Sequence, residues 1–460
     1  MAVTGPRPTD VPTLPAHPDP ETDRVLDSGL LHELSYAFDG PFHFLLPHRF
    51  DANLAAFRTA LADAGVAGRV YYAKKANKAA VWAERCAAHG AGVDVASVPE
   101  LREALGHGVR GEHLVVTGPA KSDALLRLAA LHGCLVAVDS LDELDLLITL
   151  ALTGTARPAR LLLRRLPPAQ PHSRFGMTAA ELETALDRCV RAGGAVRMEG
   201  FSFHLSGCAV RPRADLAGLL LDHCLRARAL GLRADRISIG GGFAVDYSSA
   251  HHWQTFRAAQ RPEHYHAHKT FEADSFYPYH SPVAGGDALR AVLDTVPAGG
   301  RTSLAGRLQQ TGTLLMAEPG RALLDGAGAS VFRVQGVKER DGYRILTVDG
   351  TSLSLSEQWF NSEYLPEPYL VTPEGRARGD AVHPACVGGA TCLEADLLTW
   401  RKVPFPARPR VGDLLVYPNT AGYQMDSNES PFHGLPLPPK VVVDRLGPRP
   451  RWRLDRHPAR

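Results

Sequence analysis

Residues 113–138 read HLVVTGPAKSDALLRLAALHGCLVAV, in which two short apolar runs flank an amphipathic segment. The runs His113–Val116 and Cys134–Val138 are rich in valine and leucine and predict buried strands. Between them, the apolar residues of Ser122–His132 recur at helical spacing, so this segment is predicted to be a helix with one buried face. The stretch is therefore predicted to be a strand–helix–strand unit of the kind that builds α/β folds.

The same alternation extends outward in both directions, from about Ala52 to Leu323. The other predicted strands are Arg69–Ala73, Gly92–Val95, Arg160–Leu163, Val196–Phe203, Arg236–Ile239 and Thr313–Ala317. Eight strands that alternate with helices predict an α/β fold of the (β/α)8, TIM-like barrel type. A doubly wound open sheet alternates in the same way and is the alternative.

The chain has 460 residues, which is enough for two domains. After Arg321, short strands with turn residues replace the alternation: Ser330–Val337, Tyr343–Val348, Leu414–Tyr417 and Lys440–Val443. We predict a barrel domain over residues 49–325 and a second, all-β domain, sandwich-like or barrel-like, formed discontinuously by residues 25–48 and 326–460. Residues 1–24 are rich in proline and aspartate and are predicted to be a disordered tail.

A segment rich in histidine and aromatic residues interrupts the barrel pattern at about residues 247–300. It is too long for an ordinary barrel loop, so it is predicted to be an insertion and a candidate lid. Within it, His264, His266 and His268 have a spacing that could bind a metal. Because no fourth ligand is evident, exposed loop histidines are the better interpretation and no metal is expected.

Composition argues against nucleic-acid and membrane partners. The formal net charge of +2 is close to neutral, and no basic block stands apart from acidic neighbours. No apolar run approaches the roughly 20 residues of a membrane helix. Seven scattered cysteines without close pairs indicate a reducing compartment, so we expect a cytoplasmic location.

Three motifs at predicted strand ends suggest chemistry. Tyr72-Ala73-Lys74-Lys75-Ala76-Asn77 follows the first strand, where a buried lysine would lose hydration and become nucleophilic. Ile239-Gly240-Gly241-Gly242-Phe243 follows the seventh strand, and its glycines would let backbone N–H groups approach a phosphate. Glu318-Pro319-Gly320-Arg321 follows the eighth, and offers a carboxylate for a ring nitrogen and an arginine for a phosphate. Separately, these motifs also suit surface lysines, a turn and a surface ion pair, but together they predict a cofactor site at one end of the barrel.

The order of these motifs resembles that of the barrel-type (fold type III) pyridoxal-phosphate (PLP) decarboxylases that act on ornithine, arginine and meso-diaminopimelate. The resemblance runs from about Pro41 to His433. Tyr72–Asn77 is similar to the family's Y-A-x-K-A-N, which implies that Lys75 rather than Lys74 binds the cofactor covalently. Phe203-His204 matches the histidine that stacks on the cofactor ring.

Other motifs extend the resemblance through the barrel. Asp94-Val95-Ala96-Ser97 with Glu100 resembles D-x-x-S-x-x-E, which implies that Asp94 lies near the lysine. Residues 163–167 are similar to L-R-I-x-P, and Ser173-Arg174-Phe175-Gly176 is similar to S-K-F-G with arginine in place of lysine. The cofactor-binding residues that the resemblance implies are Lys75, Asp94, Arg164, His204, Ser206, Gly240, Gly241, Gly242, Glu318, Gly320, Arg321 and Tyr423.

Two motifs in the second domain complete the set. Gly389-Ala390-Thr391-Cys392 with Asp396 resembles G-P-x-C-x-x-x-D, whose cysteine is the catalytic acid and reaches the neighbouring subunit's cofactor. A homodimer with shared active sites is therefore implied. Ala421-Gly422-Tyr423 is similar to A-G-A-Y, whose tyrosine contacts the phosphate. The implied catalytic residues are Lys75, His204, Glu318 and Cys392.

Two further departures from the family pattern affect predicted contacts with the cofactor or the substrate. After His204 the family reads x-G-S, whereas this chain reads Leu205-Ser206-Gly207, so the hydroxyl has moved by one position. Leu393 stands where the family carries an acid that meets the distal amine of the substrate. The candidates for substrate contact are instead Glu394, Asp396 and Asp426. A dedicated diaminopimelate decarboxylase is therefore not expected, and the amino-acid substrate and its D or L configuration stay open.

The resemblance implies decarboxylation of an amino acid to an amine and carbon dioxide. One alternative is an amino-acid racemase on the same scaffold, and another is a non-catalytic, PLP-binding regulatory relative. Racemases of this scaffold usually place an arginine at the ring nitrogen, so Glu318 favours decarboxylation. The presence of both Lys75 and Cys392 argues against a regulatory protein.

Overall fold

The computed structural model describes residues 11–154, 157–272, 274–355, 361–445, 447 and 450–455, which form two compact units. The barrel unit contains Asp51–Ala244 and Val283–Leu323, and the β unit contains the described parts of Met1–Phe50, Val245–Pro282 and Leu324–Asp455. No helix in the described part of the chain combines the length and apolar character needed to cross a membrane.

The N-terminal segment is ordered from residue 11, which corrects the predicted disordered tail of residues 1–24; residues 1–10 lie outside the described part. It forms helices α1 (Pro20–Leu26) and α2 (Leu30–Phe38) and strand β1 (Phe42–Leu45). The Asp19-Pro20 pair explains the start of α1, because Asp19 accepts hydrogen bonds from Thr22 N and Oγ1 (3.2 and 2.7 Å) and proline suits the first helical position. Leu14 is fully buried.

The barrel unit confirms the predicted alternation. Its strands are β2 (Gly68–Ala73), β3 (Gly92–Val95), β4 (Leu114–Val116), β5 (Leu135–Val138), β6 (Ala159–Arg164), β7 (Val196–Ser202), β8 (Arg236–Ser238) and β9 (Leu314–Ala317). The helices up to β8 are α3 (Pro47–Asp63), α4 (Ala80–His89), α5 (Val98–Gly106), α6 (Asp123–Leu131), α7 (Leu141–Gly154), α8 (Ala179–Ala192) and α9 (Val210–Ala229). After α10 (Ala250–Ala259), which belongs to the β unit, the barrel continues with α11 (Gly285–Asp294) and α12 (Leu304–Thr311).

The eight strands are parallel and close into a barrel. Closure is made by β2 and β9, where Gly68 pairs with Leu315, so the open doubly wound sheet is excluded. A buried middle layer fills the barrel with Tyr71, Val115, Leu135, Leu162 and Met316. Since side chains alternate along a strand, residues two positions beyond this layer face the interior at the carboxyl ends of the strands.

The β unit is built on one mixed sheet. Its remaining strands are β10 (Gly328–Arg340), β11 (Tyr343–Val348), β12 (Tyr369–Thr372), β13 (Gly375–Arg376), β14 (His383–Gly388), β15 (Leu397–Phe405), β16 (Leu414–Tyr417), β17 (Lys440–Arg445) and β18 (Arg451–Leu454). The order is β13-β12-β16-β10-β1-β17-β18, and β11, β14 and β15 continue from the long strand β10. Strand β1 is central, so the predicted discontinuous domain is confirmed. Helices α1 and α2 contribute leucines to the core of this sheet.

The predicted insertion is shorter than residues 247–300 and belongs to the β unit. Only Val245–Pro282 leaves the barrel, and α11 is a barrel helix with a buried face of Ala288, Leu289, Val292 and Leu293. The Tyr279 ring lies 5.5 Å from that of Tyr247 and 5.8 Å from that of Tyr364, and its hydroxyl accepts a hydrogen bond from Leu365 N (3.2 Å). This aromatic packing makes the segment part of the β-unit core, and its role as a lid stays a prediction.

Glu363 is a buried carboxyl group of the β unit, 4% exposed. It accepts hydrogen bonds from the backbone N–H groups of Trp400 and Arg401. Burial raises the pKa of Glu363 from 4.5 to about 7, although these donors and the Arg401 charge oppose the rise. The folded protein therefore keeps a proton on Glu363 at pH values where the unfolded chain has released it.

We expect the contribution of Glu363 to the free energy of unfolding to be full below pH 4.5 and to disappear as the pH rises to about 7. A shift of this size corresponds to about 3 kcal/mol. Urea unfolding at about pH 5 and about pH 7 measures the loss. Glu363→Gln should reduce it, whereas the exposed substitution Glu33→Gln should not. An unchanged pH dependence in Glu363→Gln would contradict this expectation.

Candidate active site

A layer of polar side chains lies at the carboxyl ends of the barrel strands. Thr117, Arg164 and Glu318 each stand two residues beyond a member of the middle layer. Hydrogen bonds and strand register add Asp94, Ser202 and Ser238 to this polar layer: Thr117 Oγ1 donates to Asp94 Oδ1 (2.6 Å), Ser238 Oγ donates to Glu318 Oε1 (2.5 Å), and Ser202 pairs in register with Arg164 and Ser238. The barrel therefore brings together polar residues from six different strand ends.

Lys75 and Lys74 occupy one short 3-10 turn, Lys74–Ala76, directly after β2. Lys74 is buried, and its Nζ donates to Lys78 O (3.2 Å) and Glu103 Oε1 (3.0 Å). Lys75 itself is exposed, so the burial that was predicted for the reactive lysine is found for Lys74 instead. The positive charge of Lys75 acts on Asp94, His204 and Glu318. Lys75 is thus the lysine whose charge acts on the polar layer.

Two carboxyl groups share this end of the barrel. Burial raises the pKa of Asp94 to about 7, with a further increase from the Glu318 charge, while Lys75 and Thr117 oppose it. Burial also raises the pKa of Glu318, against the hydrogen bond from Ser238 and the charges of Lys75 and Arg164. Burial disfavours the charged form of a carboxyl group. An additional cation next to Glu318 would therefore favour the ionised forms of Asp94 and Glu318.

The triple-glycine turn packs directly on His204 and Glu318. A Cβ atom at Gly240 would lie 2.7 Å from Phe203 O and 3.0 Å from His204 Nδ1, and one at Gly241 would lie 2.7 Å from Glu318 O. Gly240 also has a left-handed φ of 65°. Only glycine permits this close approach. Burial, with the charges of Lys75, Arg164 and Arg213, lowers the pKa of His204 to about 3, which leaves a neutral ring for stacking.

The same turn presents unused backbone donors. Among the described residues, the N–H groups of Gly241 and Gly242 donate to no protein acceptor. The turn is held from behind by Arg213 of α9, which donates from Nη1 to Gly242 O (2.9 Å) and lies 5.0 Å from the centre of the Phe243 ring. Arg213 was not predicted, because nothing distinguishes it from the other arginines of α9. Two neighbouring backbone N–H groups of this kind, next to buried positive charge, can bind an anion.

Arg164 is held by a network that the sequence indicated only in part. Its Nη1 donates to Asp139 Oδ1 (3.1 Å), and its guanidinium lies 4.5 Å from the centre of the Phe175 ring. Gly176 N donates to the same Asp139 oxygen (3.1 Å), so the Ser173–Gly176 motif supports Arg164. Asp139 was missed because it follows its strand without a distinctive motif.

Ser202 and Thr117 were also missed, since single hydroxyl residues at strand ends give no sequence signal. Ser202 is buried, and within the described chain its Oγ has no hydrogen-bond partner. The predicted Ser206 is exposed in the loop that follows β7. Gly320 and Arg321 follow β9, and Ala73 N donates to Pro319 O (3.2 Å), which ties the Glu318–Arg321 motif to the strand that precedes Lys75.

The residues predicted from the second domain lie in the β unit. Cys392 is exposed on the turn between β14 and β15, and its backbone N donates to His433 Nε2 (3.3 Å). Tyr423 is half-buried after β16 with a positive φ of 76°. Glu394 is exposed two residues after Cys392.

Two predicted substrate contacts have other roles in the structure. Asp396 is buried and accepts hydrogen bonds from N and Oγ of Ser352 (2.8 and 2.7 Å) and from N and Oγ1 of Thr391 (3.1 and 2.7 Å). It therefore organises the turn that bears Cys392. Asp426 is buried in an ion pair with Lys440. Both carboxylates are engaged within the β unit, and their contact with a substrate stays a prediction.

The chain is similar to known proteins over most of its length. Residues 48–274 match the family model for the pyridoxal-binding domain of pyridoxal-dependent decarboxylases. The chain is 38% identical to an uncharacterized protein, y4yA, of Sinorhizobium fredii, over 90% of both chains. It is 28% identical to the diaminopimelate decarboxylase of Deinococcus radiodurans, over 90% of this chain and 92% of that one.

Solved structures support the fold. The diaminopimelate decarboxylase of Helicobacter pylori, complexed with L-lysine, superposes with a TM-score of 0.71 at 18% identity and covers 92% of this chain and 95% of its own. The barrel, the order of its motifs and these similarities lead to one conclusion: the chain belongs to the family of pyridoxal-dependent decarboxylases that includes the diaminopimelate and ornithine enzymes.

Proposed function

We propose that this protein binds PLP through Lys75 and decarboxylates an amino acid. The observation that supports the proposal best is the convergence of the Lys75 charge on Asp94, His204 and Glu318, next to a glycine turn with unused N–H donors. Membership of a pyridoxal-dependent family supports it independently. When bound, PLP withdraws electrons from the bond between Cα and the carboxylate of an attached amino acid, so that carbon dioxide leaves.

The residues of the barrel fit this cofactor group by group. Glu318 would hold a proton at the ring nitrogen, and the resulting cation would offset the burial of its carboxylate. The neutral His204 ring would pack on the cofactor ring, and Asp94 would lie next to Lys75. The N–H groups of Gly241 and Gly242, together with Arg321, would hold the phosphate.

The buried hydroxyl of Ser202 supports the same fit. It stands in the polar layer between Arg164 and Ser238, and its Oγ has no hydrogen-bond partner in the described chain. A buried polar atom without a partner is costly, so a group bound in the barrel is expected to supply one. Ser202 is therefore added to the residues that would contact the cofactor.

Cys392 would deliver a proton to Cα, and Tyr423 would contact the phosphate, both from the β unit. The exposure of Cys392 on its turn agrees with a thiol that serves the neighbouring subunit of a homodimer. Leu393 is 52% exposed beside it and offers no charge to a distal amine. Glu394 is the predicted substrate contact that stays exposed near Cys392, and we propose it as the group that meets the polar end of the substrate.

A direct test incubates the purified protein with PLP and a panel of carboxyl-labelled amino acids that includes basic, acidic and D-configured members and meso-diaminopimelate. We expect PLP-dependent release of labelled carbon dioxide from at least one of them. Inversion at Cα with the label retained would identify a racemase instead. A protein that binds no PLP, or binds it without turning over any of the panel, would favour the regulatory alternative.

A further inference from the structure

A second cavity lies at the other end of the barrel, where the strands begin. It has a volume of about 710 Å³ and is lined by residues of the barrel unit alone. Arg69, Arg160, Arg197 and Arg236, at the amino ends of β2, β6, β7 and β8, all face it. The polar layer and Lys75 stand at the carboxyl ends of the strands, so this is a separate site.

The cavity is closed toward the barrel interior by Tyr71. The Tyr71 ring is 3% exposed and belongs to the middle layer. A Cβ atom at Gly92 would lie 2.2 Å from this ring, so glycine at that position allows the ring to fill the barrel. The charges of Arg69, Arg236 and Arg160 all act on the Tyr71 hydroxyl group. The floor of the cavity is thus one phenol surrounded by three guanidinium groups.

One buried glutamate is shared by three of the arginines. Glu199 is fully buried and receives Arg160 in a bidentate pair (2.7 and 3.0 Å), Arg197 (2.7 Å) and Arg236 (3.1 Å). Arg236 also reaches Asp235 (2.9 Å), which Arg233 pairs with as well. A single carboxylate cannot neutralise three cations, so the cluster keeps a positive field toward the cavity.

Positive charge remains in excess around the cavity. Arg110 pairs with Glu112 (2.5 Å) at its edge. Arg69 donates to Gly90 O (3.2 Å), and no carboxylate in the described chain pairs with it. Six guanidinium groups line the cavity, those of Arg69, Arg110, Arg157, Arg160, Arg197 and Arg236. The carboxylates that pair with them in the described chain are those of Glu112, Glu199 and Asp235. Among the described residues, no lysine lines the cavity.

We propose that this cavity is a binding site for a small phosphate-bearing anion, distinct from the cofactor site. Guanidinium groups bind phosphate oxygens in pairs of parallel hydrogen bonds, which lysine cannot do, and the lining holds six arginines. The volume lies within the range of about 300–1,000 Å³ that is usual for small-molecule sites. An anion would neutralise the excess charge of the cluster. Occupation would also bring negative charge to the Tyr71 end of β2, the strand that leads to Lys75.

Calorimetric titration of the full-length, PLP-saturated protein tests the proposal. The probes are pyrophosphate, AMP and, as an uncharged control, adenosine. Saturation with PLP keeps the probes from the cofactor phosphate site, and a repeat without PLP makes the result independent of the proposed function. The variants are Arg69→Gln and the double substitution Arg69→Gln with Arg197→Gln. The control is Arg191→Gln, an exposed residue in the last turn of α8.

We expect pyrophosphate or AMP to bind and adenosine not to bind. Arg69→Gln should weaken binding by about tenfold, because one charge-assisted hydrogen bond is lost, and the double variant should weaken it further. Arg191→Gln should leave it unchanged. Arg69→Gln removes no ion pair from the described fold, so it stays informative if the double variant fails to fold. Absence of binding at about 1 mM probe, or equal binding by the wild type and Arg69→Gln, would overturn the proposal.

Discussion

Replacing Lys75 with alanine is expected to lower the rate of carbon dioxide release by a factor on the order of 10⁴ and to remove the absorbance of covalently bound PLP. The reason is that the charge of Lys75 acts on Asp94, His204 and Glu318 at the carboxyl ends of the strands. The ammonium group of Lys74 instead donates hydrogen bonds to Lys78 O and Glu103 Oε1. The measurements are turnover of the best substrate from the panel and the absorption spectrum after dialysis.

Lys74→Met is the matched control for this prediction, because the two lysines are adjacent and differ only in their surroundings. Lys74 is 2% exposed and pairs with Glu103. Its loss should reduce the free energy of unfolding by roughly 2 kcal/mol, since the partly buried carboxylate of Glu103 loses its partner. Turnover per folded molecule and the cofactor spectrum should stay close to those of the wild type. The reverse pattern, with Lys74→Met inactive and Lys75→Ala active, would refute the assignment of Lys75.

Cys392→Ala is expected to lower turnover by about 10²–10³-fold, the usual contribution of a positioned proton donor. The thiol sits on the turn that Asp396 holds through Ser352 and Thr391, so its position is defined although its side chain is exposed. Binding of PLP should be unaffected, because Cys392 is proposed to act on Cα and not on the cofactor. A Cys392→Ala protein with normal turnover would remove the thiol from the mechanism.

Mixing the two inactive variants tests whether the sites are shared between subunits. If Lys75 and Cys392 of different subunits form one site, a hybrid dimer of Lys75→Ala and Cys392→Ala has one complete site. Random exchange of equal amounts should then restore about one quarter of the wild-type activity. The control mixes Lys75→Ala with the Lys75→Ala, Cys392→Ala double variant, which leaves no complete site in any dimer. Equal activity in the two mixtures would contradict a shared site.

Local patterns in the sequence were sufficient to locate the strands of the barrel, although its closure was decided by the pairing of β2 with β9. Each of its strands was predicted to within a residue or two, as with Gly92–Val95 and Leu114–Val116, because a buried parallel strand is a short apolar run between turn residues. The motif residues Lys75, Gly240–Gly242 and Glu318 could be grouped before any coordinates, since all follow strands that must meet at one end of a barrel. The order of strands and motifs along the sequence is therefore enough to place these residues at one end of the barrel.

Contacts between distant segments decided the rest. Strands β12–β15 and β18 are short or irregular, so their own composition predicts little. Among them, β12 and β14 are fixed by pairing with β16 and β11, which are not their neighbours in sequence. The predicted insertion packs into the β unit through the aromatic residues around Tyr279, and Asp426 forms an ion pair with Lys440. The sequence did not indicate either contact, because burial and charge pairing depend on which groups become neighbours in the folded chain. Ser202 and Asp139 became site residues only when strand register set them beside Arg164. The physical reason is that the pattern of apolar and polar residues along the chain indicates which face of a helix or strand is buried. Which residues pack against that face is decided only when the chain folds.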